Sequence, residues 1–201
     1  MSQTSATVTR ADRLAATVTN VFAPAHLVIG LLLLVGAASH ASATRGLAWG
    51  ALAALTVGVL PYAWVLRAVR KGRFVSRHVP DRTHRLLPLA AAGGAAIAGL
   101  AILAILGAPR QLVALILAMV AGLAGTAAIT HYWKISLHTA VATGTATILT
   151  IVYGPALLAT GALVAVIGWS RVQQRDHTPL QVLAGGLLGA AIAAALFIPL
   201  R

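Results

Sequence analysis

An all-α, polytopic transmembrane helical bundle of about seven spans, with six as the alternative, is the fold class this sequence predicts. Three observations carry that expectation. Of 201 residues, 59% are hydrophobic and only 9% charged, with a mean hydropathy of +0.90. So little polar surface cannot cover a soluble domain of this composition. Second, several Leu- and Ala-rich runs approach the roughly 20 residues needed to cross hydrocarbon. Third, none of these runs alternates with period two. Backbone groups in lipid must bond internally, so such runs mean helices and not a barrel.

Taken in order, the first stretch, Met1–Arg13, is polar, and no small-residue cleavage site follows an early apolar core. A short disordered tail over residues 1–15 is expected, not a signal peptide. Residues 16–201 then make a single integral-membrane domain. Apolar runs predict helices near Thr19–Ser39, Gly46–Ala68, Leu86–Gly107, Gln111–Thr130, Ser136–Val152, Pro155–Trp169 and Pro179–Leu200. Pro24 and Pro61 predict kinks that neighbouring helices can absorb. Tyr153-Gly154-Pro155 predicts a tight reversal between two spans, with one long kinked helix as the alternative. Gly185 and Gly189 form a G-x-x-x-G pair. Small faces of this kind let backbones approach closely in lipid, here expected inside the bundle, with a homo-oligomer contact as the alternative.

Charge limits the partners. Fifteen Lys and Arg stand against three acidic residues, a net charge of +12. In a membrane chain this reflects orientation and anionic head groups, and no basic stripe with interleaved aromatics points to nucleic acid. With seven spans, twelve Lys and Arg fall on the side of the N-terminus and three, Arg45, Arg110 and Arg201, fall opposite. The positive-inside rule then predicts a cell-membrane protein with a cytoplasmic N-terminus. There is no cysteine and no glutamate. Thiolate chemistry is excluded, carboxylate-rich metal centres are disfavoured, and no metal or cofactor is expected. A transporter is disfavoured too, because intramembrane charge is scarce and no inverted repeat is visible.

Three polar segments, His78–Leu86, Lys134–Ala140 and Ser170–Gln181, return to the N-terminal side in that topology. Their residue types suit phosphoryl chemistry. Arginine binds phosphate oxygens with a planar fork and stays charged. Histidine can attack phosphorus as a neutral imidazole or donate a proton near neutral pH.

The third segment reads S-R-x(5)-H at Ser170, Arg171 and His177, with Gln181 four residues on. The second holds Ser136 and His138, and the first holds Arg85 with His78 seven residues before it. In order and spacing these segments resemble the three signatures of the type 2 phosphatidic acid phosphatase superfamily of membrane lipid phosphatases, over about half the chain. The departures are specific. Gln181 stands where the family has aspartate, Ile135 and Leu137 replace proline and glycine, and His78 and Leu86 replace lysine and proline. The resemblance implies His177 as a nucleophile that forms a phosphohistidine, with Gln181 orienting its ring. It implies His138 as the acid for the leaving oxygen and the base for water. Arg171, Arg85 and Ser136 would hold the phosphate, with Lys134 and His78 nearby. A metal-independent lipid phosphatase acting on a lipid phosphate or diphosphate is the implied function. A non-catalytic member that binds anionic lipid phosphates is the alternative. Asp176 is the one neighbouring carboxylate that could stand in for the missing aspartate.

Overall fold

The computed structural model describes residues 8–71 and 86–201. The helices are α1 (Arg10–Val21), α2 (Pro24–Ala38), α3 (Ala43–Ala53), α4 (Leu60–Arg70), α5 (Leu86–Ile105), α6 (Arg110–Tyr132), α7 (Leu137–Tyr153), α8 (Thr160–Gln173), α9 (Pro179–Ile192) and the short α10 (Ile198–Leu200). No strand occurs among the described residues. Among the described residues four continuous stretches, Ala43–Ala68, Arg110–Tyr132, Pro155–Gln173 and Pro179–Leu200, are long and apolar enough to cross a membrane. A fifth exists if α1 and α2, bent by 43°, count as one span. Ala90–Ile105 and Leu137–Tyr153 are shorter apolar helices.

The start of the chain differs from expectation. Residues 10–15, assigned to a disordered tail, are the first turns of α1. Thr9 and Asp12 close a capping box, with Thr9 N–H donating to Asp12 Oδ2 at 2.9 Å and Asp12 N–H to Thr9 Oγ1 at 3.1 Å. These bonds satisfy donors that a helix start otherwise leaves over. Ala15 and Thr19 are buried, and α1 packs on α8. The run predicted over Thr19–Ser39 therefore spans a bend, and Pro24 opens α2 just beyond it.

The other prolines are handled differently. A π-helical segment, Ala54–Val59, joins α3 to α4 just before Pro61. A second, Ala193–Phe197, joins α9 to α10 just before Pro199. Widening the turn re-pairs carbonyls that proline cannot serve, so each helix continues through its proline. At the predicted reversal, Gly154 caps α7 with φ of 101°, a left-handed backbone that favours glycine. Gly168 near the end of α8 lies beside Thr139 near the start of α7, so α8 runs back along α7.

The two ends of the bundle differ. At one, Arg110 Nε donates to Leu200 O at 2.9 Å and Arg201 Nη1 to Ile151 O at 3.1 Å. The opposite end gathers the start of α1, the α6–α7 connection and the α8–α9 turn. Between them lies an apolar core around Leu32, Leu112, Leu115, Ile116 and Phe197.

Candidate functional site

The start of α9 is set locally. Thr178 and Gln181 form a second capping box, with Gln181 N–H donating to Thr178 Oγ1 at 3.3 Å and Thr178 N–H to Gln181 Oε1 at 3.2 Å. Pro179 occupies the first helical position, where a missing N–H is no loss. His177 thus sits immediately before the cap, and its Nδ1 lies 3.2 Å from the same Gln181 Oε1. A backbone N–H can only donate, so the Gln181 atom facing Thr178 is the carbonyl oxygen. A neutral His177 ring must then carry its proton on Nδ1, with the lone pair on Nε2.

The end of α8 is equally local. Arg175 adopts φ of 58°, its N–H donates to Val172 O at 2.8 Å, and Asp176 N–H donates to Arg171 O at 3.2 Å. This is the Schellman reversal, usually built on glycine. It folds Asp176 back onto the helix, where Asp176 Oδ2 meets Arg171 Nη2 at 2.6 Å. Asp176 is therefore the ion-pair partner of Arg171 and not a stand-in at position 181. Arg171 Nη1 donates to Thr19 Oγ1 of α1 at 3.2 Å. The Arg171 side chain is only 3% exposed, and a guanidinium that deep needs such partners.

Packing then joins the pieces. Ser136 N–H donates to Gln181 O at 3.2 Å, and Thr139 Oγ1 donates to Val182 O at 2.9 Å. The G-x-x-x-G pair permits this approach, since a Cβ at Gly185 would stand 2.6 Å from Thr139 Oγ1. Gly189 faces the Ala140 backbone of the same helix, so the pair serves packing inside the bundle. His138 lies in the first turn of α7. His138, Arg171 and His177 are all more than nine-tenths buried and line one cavity of about 350 Å³. Most of its remaining wall is apolar, with Leu31, Val57, Met119, Leu123, Ile148 and Ile192 among the lining residues.

Other predicted residues are placed differently. Ser136 is fully buried, and its Oγ caps α7 by accepting Thr139 N–H at 3.4 Å. Lys134 is half-buried in the α6–α7 connection. Neither lines the cavity. Arg85 and His78 lie outside the described residues. Among the described residues no three His, Asp or Glu side chains gather as metal ligands.

Two helix starts, carrying partial positive charge, together with Arg171 make the polar end of the cavity suited to an anion. Asp176 offsets part of that field through its ion pair with Arg171. Behind Arg171, α1 is tied to α8 by Gln173 Nε2 donating to Asp12 Oδ1 at 3.0 Å. Hydrogen bonds from Gln173 and Thr9 lower the Asp12 carboxyl to about 2. With its folded pKa depressed, that tie is present above the ordinary carboxylate range and is lost only as pH falls towards 2.

Sequence reasoning missed Thr19, Gln174 and α1 itself. The pattern Thr9-x-x-Asp12 was a usable capping signal. Nothing local, however, connects Thr19 to a residue 152 positions away. No family model matches the chain, and no curated protein or solved structure matches it.

Proposed function

We propose that this chain is an integral membrane lipid phosphatase that hydrolyses a phosphate or diphosphate ester through a phosphohistidine at His177. The observation that carries the reading is a single cavity lined by His177, His138 and Arg171 at its polar end and by aliphatic walls beyond. A head group would occupy the first region and a lipid tail the second. Fitting substrates are a polyprenyl phosphate or diphosphate, phosphatidate, or a lipid-linked phosphosugar.

In this scheme His177 Nε2 attacks phosphorus while Gln181 Oε1 holds Nδ1–H. His138 protonates the departing oxygen, then takes a proton from the water that cleaves the P–N bond. Arg171 stabilises charge on the phosphoryl oxygens, and the positive dipole ends of α7 and α9 add to it. Removing one such preorganised donor commonly costs about 3 kcal/mol of transition-state stabilisation. Arg85 is assigned a second guanidinium contact by the motif order. No metal or cofactor takes part.

The test is phosphate release by purified protein in detergent, across lipid mono- and diphosphates, with and without EDTA. Wild type should turn over in EDTA, and His177→Ala should lose hydrolysis while staying folded. Undiminished turnover in that variant sinks the nucleophile assignment. Loss on chelation with recovery on magnesium calls for a different mechanism.

Two observations favour a second reading, binding without hydrolysis. Gln181 offers His177 no charge, and Asp176 already neutralises Arg171. Saturable binding of dioctanoyl phosphatidate without phosphate release would select it. For orientation, the twelve-to-three charge asymmetry supports a cytoplasmic N-terminus and site. With seven spans a C-terminal reporter should behave as external; a cytoplasmic result overturns that topology.

A further inference from the structure

We propose that Thr19 of α1 is the positioning residue for the Arg171 guanidinium, an inference that rests on reading Arg171 as a phosphate ligand. Thr19 is 2% exposed. Its hydroxyl accepts from Arg171 Nη1 at 3.2 Å and from Gln174 Nε2. It also lies 3.0 Å from Ser170 Oγ. Threonine offers one donor and two acceptor positions. With both lone pairs taken by N–H groups, its proton goes to Ser170 Oγ, and Ser170 in turn donates to Ile167 O at 2.7 Å. The chain of donors is closed and points one way. Turning the Thr19 hydroxyl away from Arg171 would also give up its contacts with Gln174 Nε2 and Ser170 Oγ, so three partners favour this orientation.

Two of the partners that hold Arg171, Asp176 and Thr19, differ in the way a phosphate ligand requires. Asp176 is charged, sits on the α8–α9 turn and has a side chain 33% exposed. An incoming phosphate dianion repels it, and it has a path to water. Thr19 is neutral and buried. It keeps the plane of the fork fixed without competing for its charge. When Asp176 yields to substrate, Thr19 still determines where the guanidinium points.

Thr19→Val tests this, because valine keeps the shape and removes only the hydroxyl. The helix stays docked through bonds that do not use Thr19: Gln173 to Asp12 at 3.0 Å and Gln174 Nε2 to Ala15 O at 3.2 Å. Turnover of dioctanoyl phosphatidate in detergent should fall in kcat on the order of 10- to 100-fold, as expected for a misplaced charge-stabilising group. Thr19→Ser should recover to within about threefold of wild type. A second measurement does not depend on turnover. The ¹⁵N-resolved Arg171 Nη1–H signal, from the group that Thr19 accepts, is assigned by its loss in Arg171→Lys and should exchange faster in Thr19→Val and return to wild type in Thr19→Ser. Wild-type kcat in Thr19→Val overturns the proposal, as does a serine variant as impaired as the valine one. If wild type releases no phosphate, the phosphatase reading fails by itself. The Arg171 signal then decides: unchanged exchange in Thr19→Val refutes the positioning role, and faster exchange upholds it.

Discussion

Gly185→Ala strikes the seam that holds the two histidines of the cavity, His138 and His177, in register. A Cβ at 185 would stand 2.6 Å from Thr139 Oγ1 and 3.3 Å from the Ser136 carbonyl carbon. Non-bonded carbon contacts settle at roughly 3.5–4.0 Å, so α9 must retreat from α7 by about 1 Å. Overpacking of this kind costs about 1–3 kcal/mol. The same retreat breaks two bonds across the seam, Ser136 N–H to Gln181 O at 3.2 Å and Thr139 Oγ1 to Val182 O at 2.9 Å. Each contributes about 1 kcal/mol. Together the loss is about 3–5 kcal/mol. Gln181 moves with α9 while His138 stays with α7, and a shift of about 1 Å can lower turnover on the order of 100-fold. SDS titration of detergent-solubilised protein, followed by far-UV circular dichroism, reads the stability. Phosphate release reads the site. Gly161→Ala is the control, because nothing lies within 4 Å of a Cβ there; helix propensity makes it neutral or stabilising by up to about 1 kcal/mol. A Gly185→Ala protein that unfolds at the wild-type midpoint would refute the packing of α9 on α7 through this face.

Gln181→Asp should keep turnover or raise it by up to about tenfold, because a carboxylate stabilises the imidazolium that glutamine only orients. The geometry permits it, since Asp12 serves the same capping-box position in α1; a tenfold fall in kcat would mean that the shorter side chain does not reach the ring. Arg175→Gly should stabilise the fold by about 1 kcal/mol by relieving a left-handed backbone at φ 58°. A lower SDS midpoint would show that Arg175 contributes more through its contacts than its backbone loses.

The sequence by itself determined the helical membrane class, because hydrocarbon leaves a backbone no partner outside its own helix. Each of the seven predicted runs holds helix. The local geometry of the third motif was legible for a similar reason. A helix end, a short turn and a proline-led helix start are all encoded within twelve residues, Ser170–Gln181. They carry Arg171 to the last turn of α8 and His177 to the threshold of α9. The α1 start was encoded too, but its charges disguised an amphipathic helix as a tail. What the sequence could not determine was how the remaining bonding capacity is distributed between distant segments. Asp176 lies one residue from His177 yet pairs with Arg171, because the reversal at Arg175 turns it that way. Ser136 matches a phosphate-binding position yet its hydroxyl caps its own helix. Thr19 belongs to no motif, and it reaches Arg171 because α1 folds onto α8. These outcomes depend on which helix faces meet, and only tertiary packing decides which donors and acceptors come within 3.5 Å of one another.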